Sequence, residues 1–125
     1  MSSKLALTIG AVLGIVFGLA LTLLPTQMLK SFALNAPNEA IVLSRDVGVT
    51  LIGLGIINWL ARDATGPAVR ALLVGNFFVQ VAEFVVNAYE IILRFLPVQG
   101  SAGLVLHAIL GIVFALALFA PPDRR

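Results

Sequence analysis

The sequence predicts an all-α protein, a four-helix transmembrane bundle of up-down-up-down topology, and three observations carry that expectation. Of the 125 residues, 60% are hydrophobic and 11% are charged, against roughly 45–50% and 25% in a soluble globular domain. The apolar residues gather into four runs, each near the roughly 20 residues needed to cross a hydrocarbon core of about 30 Å. Prolines or polar turns separate the runs. Four spans leave only loops and tails, so the chain reads as a single integral membrane domain over residues 1–125, with spans at about 5–25, 42–61, 70–96 and 102–120.

The first run opens just after Lys4, carries no charge and stops at Pro25. It exceeds the roughly 7–15 apolar residues of a secretory signal and lacks a convincing cleavage site, so it is expected to be retained. The stretch from Thr26 to Ala40 holds Lys30, Asn35, Pro37, Asn38 and Glu39 and is too interrupted to span. One amphipathic turn, Met28 to Leu34, is expected to lie in the interface there. The second run has Arg45 and Asp46 in its first turns and Asn58-Trp59 near its far end, and it closes before Arg62, Asp63 and the turn signal Gly66-Pro67. The third follows Arg70 and stops at Pro97, and the fourth runs to Pro121-Pro122. For a chain that starts inside, Lys4, Arg62, Arg70, Arg124 and Arg125 fall on the inner side and Lys30, Arg45 and Arg94 on the outer. That bias places both termini in the cytoplasm.

Composition also excludes function classes. The net charge of +2 arises from eight basic and six acidic residues, too few for a nucleic-acid surface. The absence of cysteine removes disulfides, iron–sulfur clusters and thiolate metal sites. One histidine and two spaced glutamates do not make a zinc or di-iron site, and a bis-imidazole haem needs a second histidine. The chain has no GxSxG, no phosphate loop and no GxGxxG. No cofactor, metal or catalytic residue is therefore expected, and enzymatic activity is the least favoured class.

Two patterns stand out. Gly10, Gly14 and Gly18 recur every four residues on the first span, a stripe on which another backbone can approach closely, inside the bundle or in a homodimer. Gly48, Gly53 and Gly55 are expected to serve the same end on the second span. The third span carries Asn76, Gln80, Glu83, Asn87, Glu90 and Arg94 at intervals of four, three, four, three and four. At about 100° per residue they fall within a sector of roughly 80°. A central acid alone offsets much of what a dozen apolar side chains contribute to insertion. The stripe should therefore face the bundle interior or a water-filled cavity. By position along the helices, Arg45, Glu90, Asn87 and His107 are expected to form one outer network, leaving Glu83 nearer the midplane with the fewest partners. His107 follows Gly103 by four residues, which looks like the small-x-x-x-His pattern of bacterial light-harvesting helices.

Arg45-Asp46-x-Gly48, then Gly53-Leu-Gly55-x-x-Asn58-Trp59-Leu60-Ala61-Arg62, and His107 followed by Leu110-Gly111 resemble the small four-helix bacterial membrane proteins grouped with the DoxX-like families. The likeness extends over the whole chain as organisation. It implies a compact bundle in the bacterial inner membrane. Some DoxX-like proteins are associated with quinone-linked sulfur oxidation, but no residue of this chain carries over to such a site.

The leading expectation is a small inner-membrane accessory or interaction protein whose partners are the lipid bilayer and itself or another membrane protein, because a chain this small should enclose little cavity. The alternative is a proton-linked small-solute transporter or channel that uses Asn76, Gln80, Glu83, Asn87, Glu90, Arg45 and His107. A pigment-binding subunit acting through His107 is a minor alternative.

Overall fold

The computed structural model describes residues 1–120, which form four long helices and one short one. They are α1 (Ser3–Leu23), α2 (Pro25–Ser31), α3 (Asn38–Ala61), α4 (Pro67–Ile92) and α5 (Ala102–Leu118), with a 3-10 turn at Val98–Gly100 ahead of α5. The long helices, counting that turn with α5, have 21, 24, 26 and 21 residues and are apolar enough to span a membrane. At about 1.5 Å per residue they reach about 31–39 Å, enough for a hydrocarbon core of about 30 Å. The chain is a multi-pass helical membrane protein. Arg124 and Arg125, counted above for orientation, lie outside the described residues.

Local chemistry sets the boundaries. Ser2 caps α1 by accepting from the Leu5 N–H at 3.3 Å. Pro25 ends α1 because it has no N–H for the Leu21 carbonyl and its ring crowds that oxygen. Within hydrocarbon such an orphaned carbonyl costs several kcal/mol. Ser44 of α3, itself buried, donates its hydroxyl to Leu21 O at 3.3 Å and fills the gap. Pro25 then starts α2, so the expected amphipathic segment forms three residues earlier than its sequence signal. Gly66, at φ 82°, makes the turn into α4, and Pro67 occupies its first turn.

The third span ends four residues before its expected limit. α4 stops at Ile92, and Arg94 adopts the left-handed conformation at φ 63° while the N–H groups of Phe95 and Leu96 both reach Glu90 O, at 2.9 and 3.1 Å. Arg94 therefore belongs to the cap and not to the polar stripe.

The helices pack as two pairs, α1 along α3 and α4 along α5. In the first pair, Lys4 meets Asp63 at one end and Ser44 meets Leu21 at the other, so the two helices run in opposite directions. Backbone contact carries the seam. A Cβ on Gly14 would lie 3.1 Å from Leu51 O and 3.3 Å from Gly55 Cα, and one on Gly18 would lie 2.6 Å from Gly48 O. Gly48 and Gly55 return the contact against Thr22 and Ala11. Gly53 has nothing within 4 Å and takes no part, contrary to the sequence expectation. It sits off the buried face of α3, which is Ser44, Gly48, Gly55 and Asn58.

Large side chains point the other way. Val74, Phe78, Val85 and Ile92 on the outer face of α4 are 46%, 69%, 59% and 77% exposed, as expected of a surface solvated by lipid. The close-packed core, made by Ala6, Leu7, Val69, Leu73, Phe114 and Ala117, occupies only the end where α1 and α4 begin and α5 finishes.

Candidate binding cleft

Beyond that core the two pairs part. α3 and α4 make little contact other than the Asn58 and Asn76 side chains. A cleft of about 700 Å³ lies between the pairs and is lined by α1, α3, α4 and α5, with Met28 and Phe32 contributed from the α2 segment. This corrects the expectation that so small a chain encloses little cavity. Helices that pair through glycine seams have no need to fill the space between pairs.

Contacts between helices mark the two ends of the cleft. At one end Asn58, only 4% exposed, and Asn76 form a reciprocal amide pair, each Nδ2 donating to the other's Oδ1 at 2.9 Å. Asn76 Nδ2 also reaches Leu72 O at 2.8 Å. Gly10 makes this contact possible, since a Cβ there would lie 2.7 Å from the Phe114 ring and 3.1 Å from Asn58 Nδ2. At the other end the Phe32 carbonyl rests on buried Gly100, where a Cβ would lie 2.8 Å away. On the side between α3 and α4 the cleft is open, since Val47, Leu54 and Ile57 line it and are exposed.

Of the residues singled out from the sequence, Asn76, Gln80, Glu83 and His107 line this cleft. His107 Nδ1 and Gln80 Oε1 are hydrogen-bonded at 2.8 Å, a geometry in which the imidazole nitrogen carries the proton and donates. This pair bridges α4 and α5 near the middle of both, because Gln80 is central in Pro67–Ile92 and His107 is central in Val98–Leu118.

The outer network does not form. Glu90 lies ten residues, about 15 Å along the axis, from the Gln80 level at which His107 is held. The early end of α4 and the nine-residue connection over 93–101 shift the α5 register from the one expected. Among the described residues Arg45 makes no ion pair or side-chain hydrogen bond, and neither does Glu90. The salt bridges found there are Lys4 to Asp63 at 2.6 Å and Arg62 to Asp63 at 3.6 Å. Asn87 donates to the Glu83 carbonyl on its own helix at 2.9 Å. Its Oδ1 lies 3.0 Å from where a Cβ on Gly103 would stand. Gly103 thus admits Asn87 and the close approach of α4.

Asn58 is the site residue that sequence reasoning passed over. A signal was present: Ser44, Gly48, Leu51, Gly55 and Asn58 repeat the four-three-four-three spacing of the α4 stripe, so Asn58 shares the inward face of the glycines.

Polar groups also collect at the core end. The Lys4 ammonium, aided by Arg62, holds the Asp63 carboxyl below the usual carboxylate range. Arg62 lies 3.8 Å over the Trp59 ring, a cation–π contact suited to a membrane interface. Comparison with known proteins finds no matching family model, no matching curated protein and no matching solved structure.

Proposed function

We propose that this membrane protein binds, in the cleft between its two helix pairs, a small and largely apolar molecule that enters sideways from the lipid, and that it holds or carries that molecule as a solute-binding or transport protein. One observation carries the reading: a space of about 700 Å³, within the range of roughly 300–1,000 Å³ of small-molecule sites, is crossed by interhelix contacts toward both ends and opens at the side between α3 and α4. A transmembrane helix of a partner, about 10 Å wide and 30 Å long, would have to pass through those contacts. A compact molecule would not. The glycine stripe that suggested association with another chain is occupied by α3 within the same chain.

The setting proposed is the bacterial inner membrane, following the DoxX-like resemblance, with both termini in the cytoplasm. Lys4, Arg62 and Arg70 all belong to the core end of the bundle, and this supports the orientation. An accessory role with itself or another membrane protein as partner is the second reading. It rests on the apolar outer face of α4 at Val74, Phe78, Val85 and Ile92.

Labelling with a lipophilic aryl diazirine in liposomes tests the binding reading. Gly75 lines the cleft with nothing within 4 Å of its Cβ position, so Gly75→Leu narrows the cleft with no clash at its Cβ. Label at Leu51 and Leu106, inside the cleft, should drop in Gly75→Leu while label at Phe78 and Val85 on the outer face persists. Cleft labelling that Gly75→Leu leaves unchanged would overturn the proposal.

A further inference from the structure

We infer that the molecule bound in the cleft is a lipophilic cation, its charge met by the Glu83 carboxylate. This rests on the binding reading above and adds the chemical class of the ligand. Among the residues that line the cleft, Glu83 is the one acid, and no lysine or arginine accompanies it. The other polar side chains are engaged with each other, Asn58 with Asn76 and Gln80 with His107. Neither Glu83 carboxylate oxygen accepts a hydrogen bond or makes an ion pair among the described residues, where the side-chain bonds found do not include it and the ion pairs all involve Asp63. Glu83 is exposed and lines the cleft, and its carboxylate has its acceptor capacity unused.

The walls around it define what else the ligand must be. Facing Glu83, α5 presents His107 as its titratable group, while the cleft residues of α1, α2 and α3, apart from Asn58, are apolar or glycine. Phe17 and Phe32 are among them, and aromatic faces attract a desolvated cation. Depth excludes a phospholipid headgroup. Glu83 stands about 5 Å from the middle of α4, inside the hydrocarbon and not at the surface where headgroups lie. A compact organic cation with an apolar shell satisfies all of these features. A hydrated metal ion or a zwitterionic lipid does not.

Tetraphenylphosphonium and tetraphenylborate, matched in size and shape and opposite in charge, test the inference. Their binding to the full chain in uncharged detergent micelles is measured by equilibrium dialysis and corrected for partition into protein-free micelles. The buffer is held at about pH 8, above the usual imidazole range, so that His107 adds no charge. The phosphonium should bind at least about tenfold more tightly, equivalent to about 1.4 kcal/mol. Glu83→Gln should reduce the preference to less than about twofold. Equal binding of the two ions to the wild-type protein, a comparison that needs no variant, overturns the inference, as does a preference that survives Glu83→Gln. Binding of neither ion also overturns it. The binding reading falls with it only if the diazirine labelling of Leu51 and Leu106 is also insensitive to Gly75→Leu.

Discussion

Replacing Gly18 by alanine should loosen the seam between α1 and α3, and the structure sets the size of the effect. The new methyl would lie 2.6 Å from Gly48 O and 2.9 Å from Ile52 N. Both are backbone atoms and cannot rotate away. Ordinary contact begins at 3.4 Å, so α3 must retreat by about 3.4 − 2.6 = 0.8 Å at this level. A gap of that size forfeits a quarter to a half of the dispersion well for the atoms that faced each other. Gly14 against Leu51 and Gly55 against Ala11 belong to the same seam and are lifted together. Overpacking of this kind reaches about 3 kcal/mol at the upper end of its range, and alanine returns about 1 kcal/mol through helix propensity, so the net loss is about 2 kcal/mol. Gly53→Ala is the control on the same helix pair. With nothing within 4 Å of its Cβ position it should gain about 0.5–1 kcal/mol. Reversible unfolding in mixed micelles, or steric trapping in bicelles, reads both variants. If Gly18→Ala proved as stable as Gly53→Ala, the backbone seam would not be what joins α1 to α3.

Other expectations follow from the same geometry. Asn58→Ala and Asn76→Ala should show a coupling of about 1 kcal/mol in a double-mutant cycle, within the range of polar contacts in membranes; additive effects would show that the amide pair does not hold α3 to α4. Because Lys4 and Arg62 depress the Asp63 carboxyl in the folded chain, the bridge between the start of α1 and the end of α3 is fully present above the usual carboxylate range. It is lost as pH falls through the lowered value. A carbon-detected NMR titration of the Asp63 carboxyl should give a midpoint below that of Asp63 in the unfolded chain, and a midpoint at or above it would contradict the bridge. Arg94→Gly, at the left-handed position that ends α4, should stabilise the protein by about 1 kcal/mol in the same unfolding assay.

The four spans were legible because a bilayer imposes length and apolarity on every crossing segment, and neither depends on how the helices pack. The stripes at Gly10, Gly14, Gly18 and at Asn76, Gln80, Glu83 were legible for a related reason, since one helix period places them on one face whatever lies opposite. Register was not legible. His107 meets Gln80 and not Glu90 because Arg94 accepts a left-handed cap and the chain makes a 3-10 turn before α5, and neither event has a glycine to announce it at Arg94. Gly53 and Gly55 look alike in the sequence, yet only Gly55 lies on the face turned to α1. The cleft itself had no sequence signal, because it is the space left where two well-packed pairs diverge, and pairwise patterns describe contacts, not gaps.

The central claim is that the cleft holds a small molecule taken from the bilayer. Native mass spectrometry of the protein extracted gently from its own membrane tests it most directly, with Gly75→Leu measured alongside. The substitution replaces a helical glycine whose added Cβ would meet nothing within 4 Å, so the variant should be at least as stable as the wild type. The wild-type protein should carry an additional small mass that the variant lacks. A wild-type protein that travels bare, or a bound mass that survives Gly75→Leu, would contradict the account.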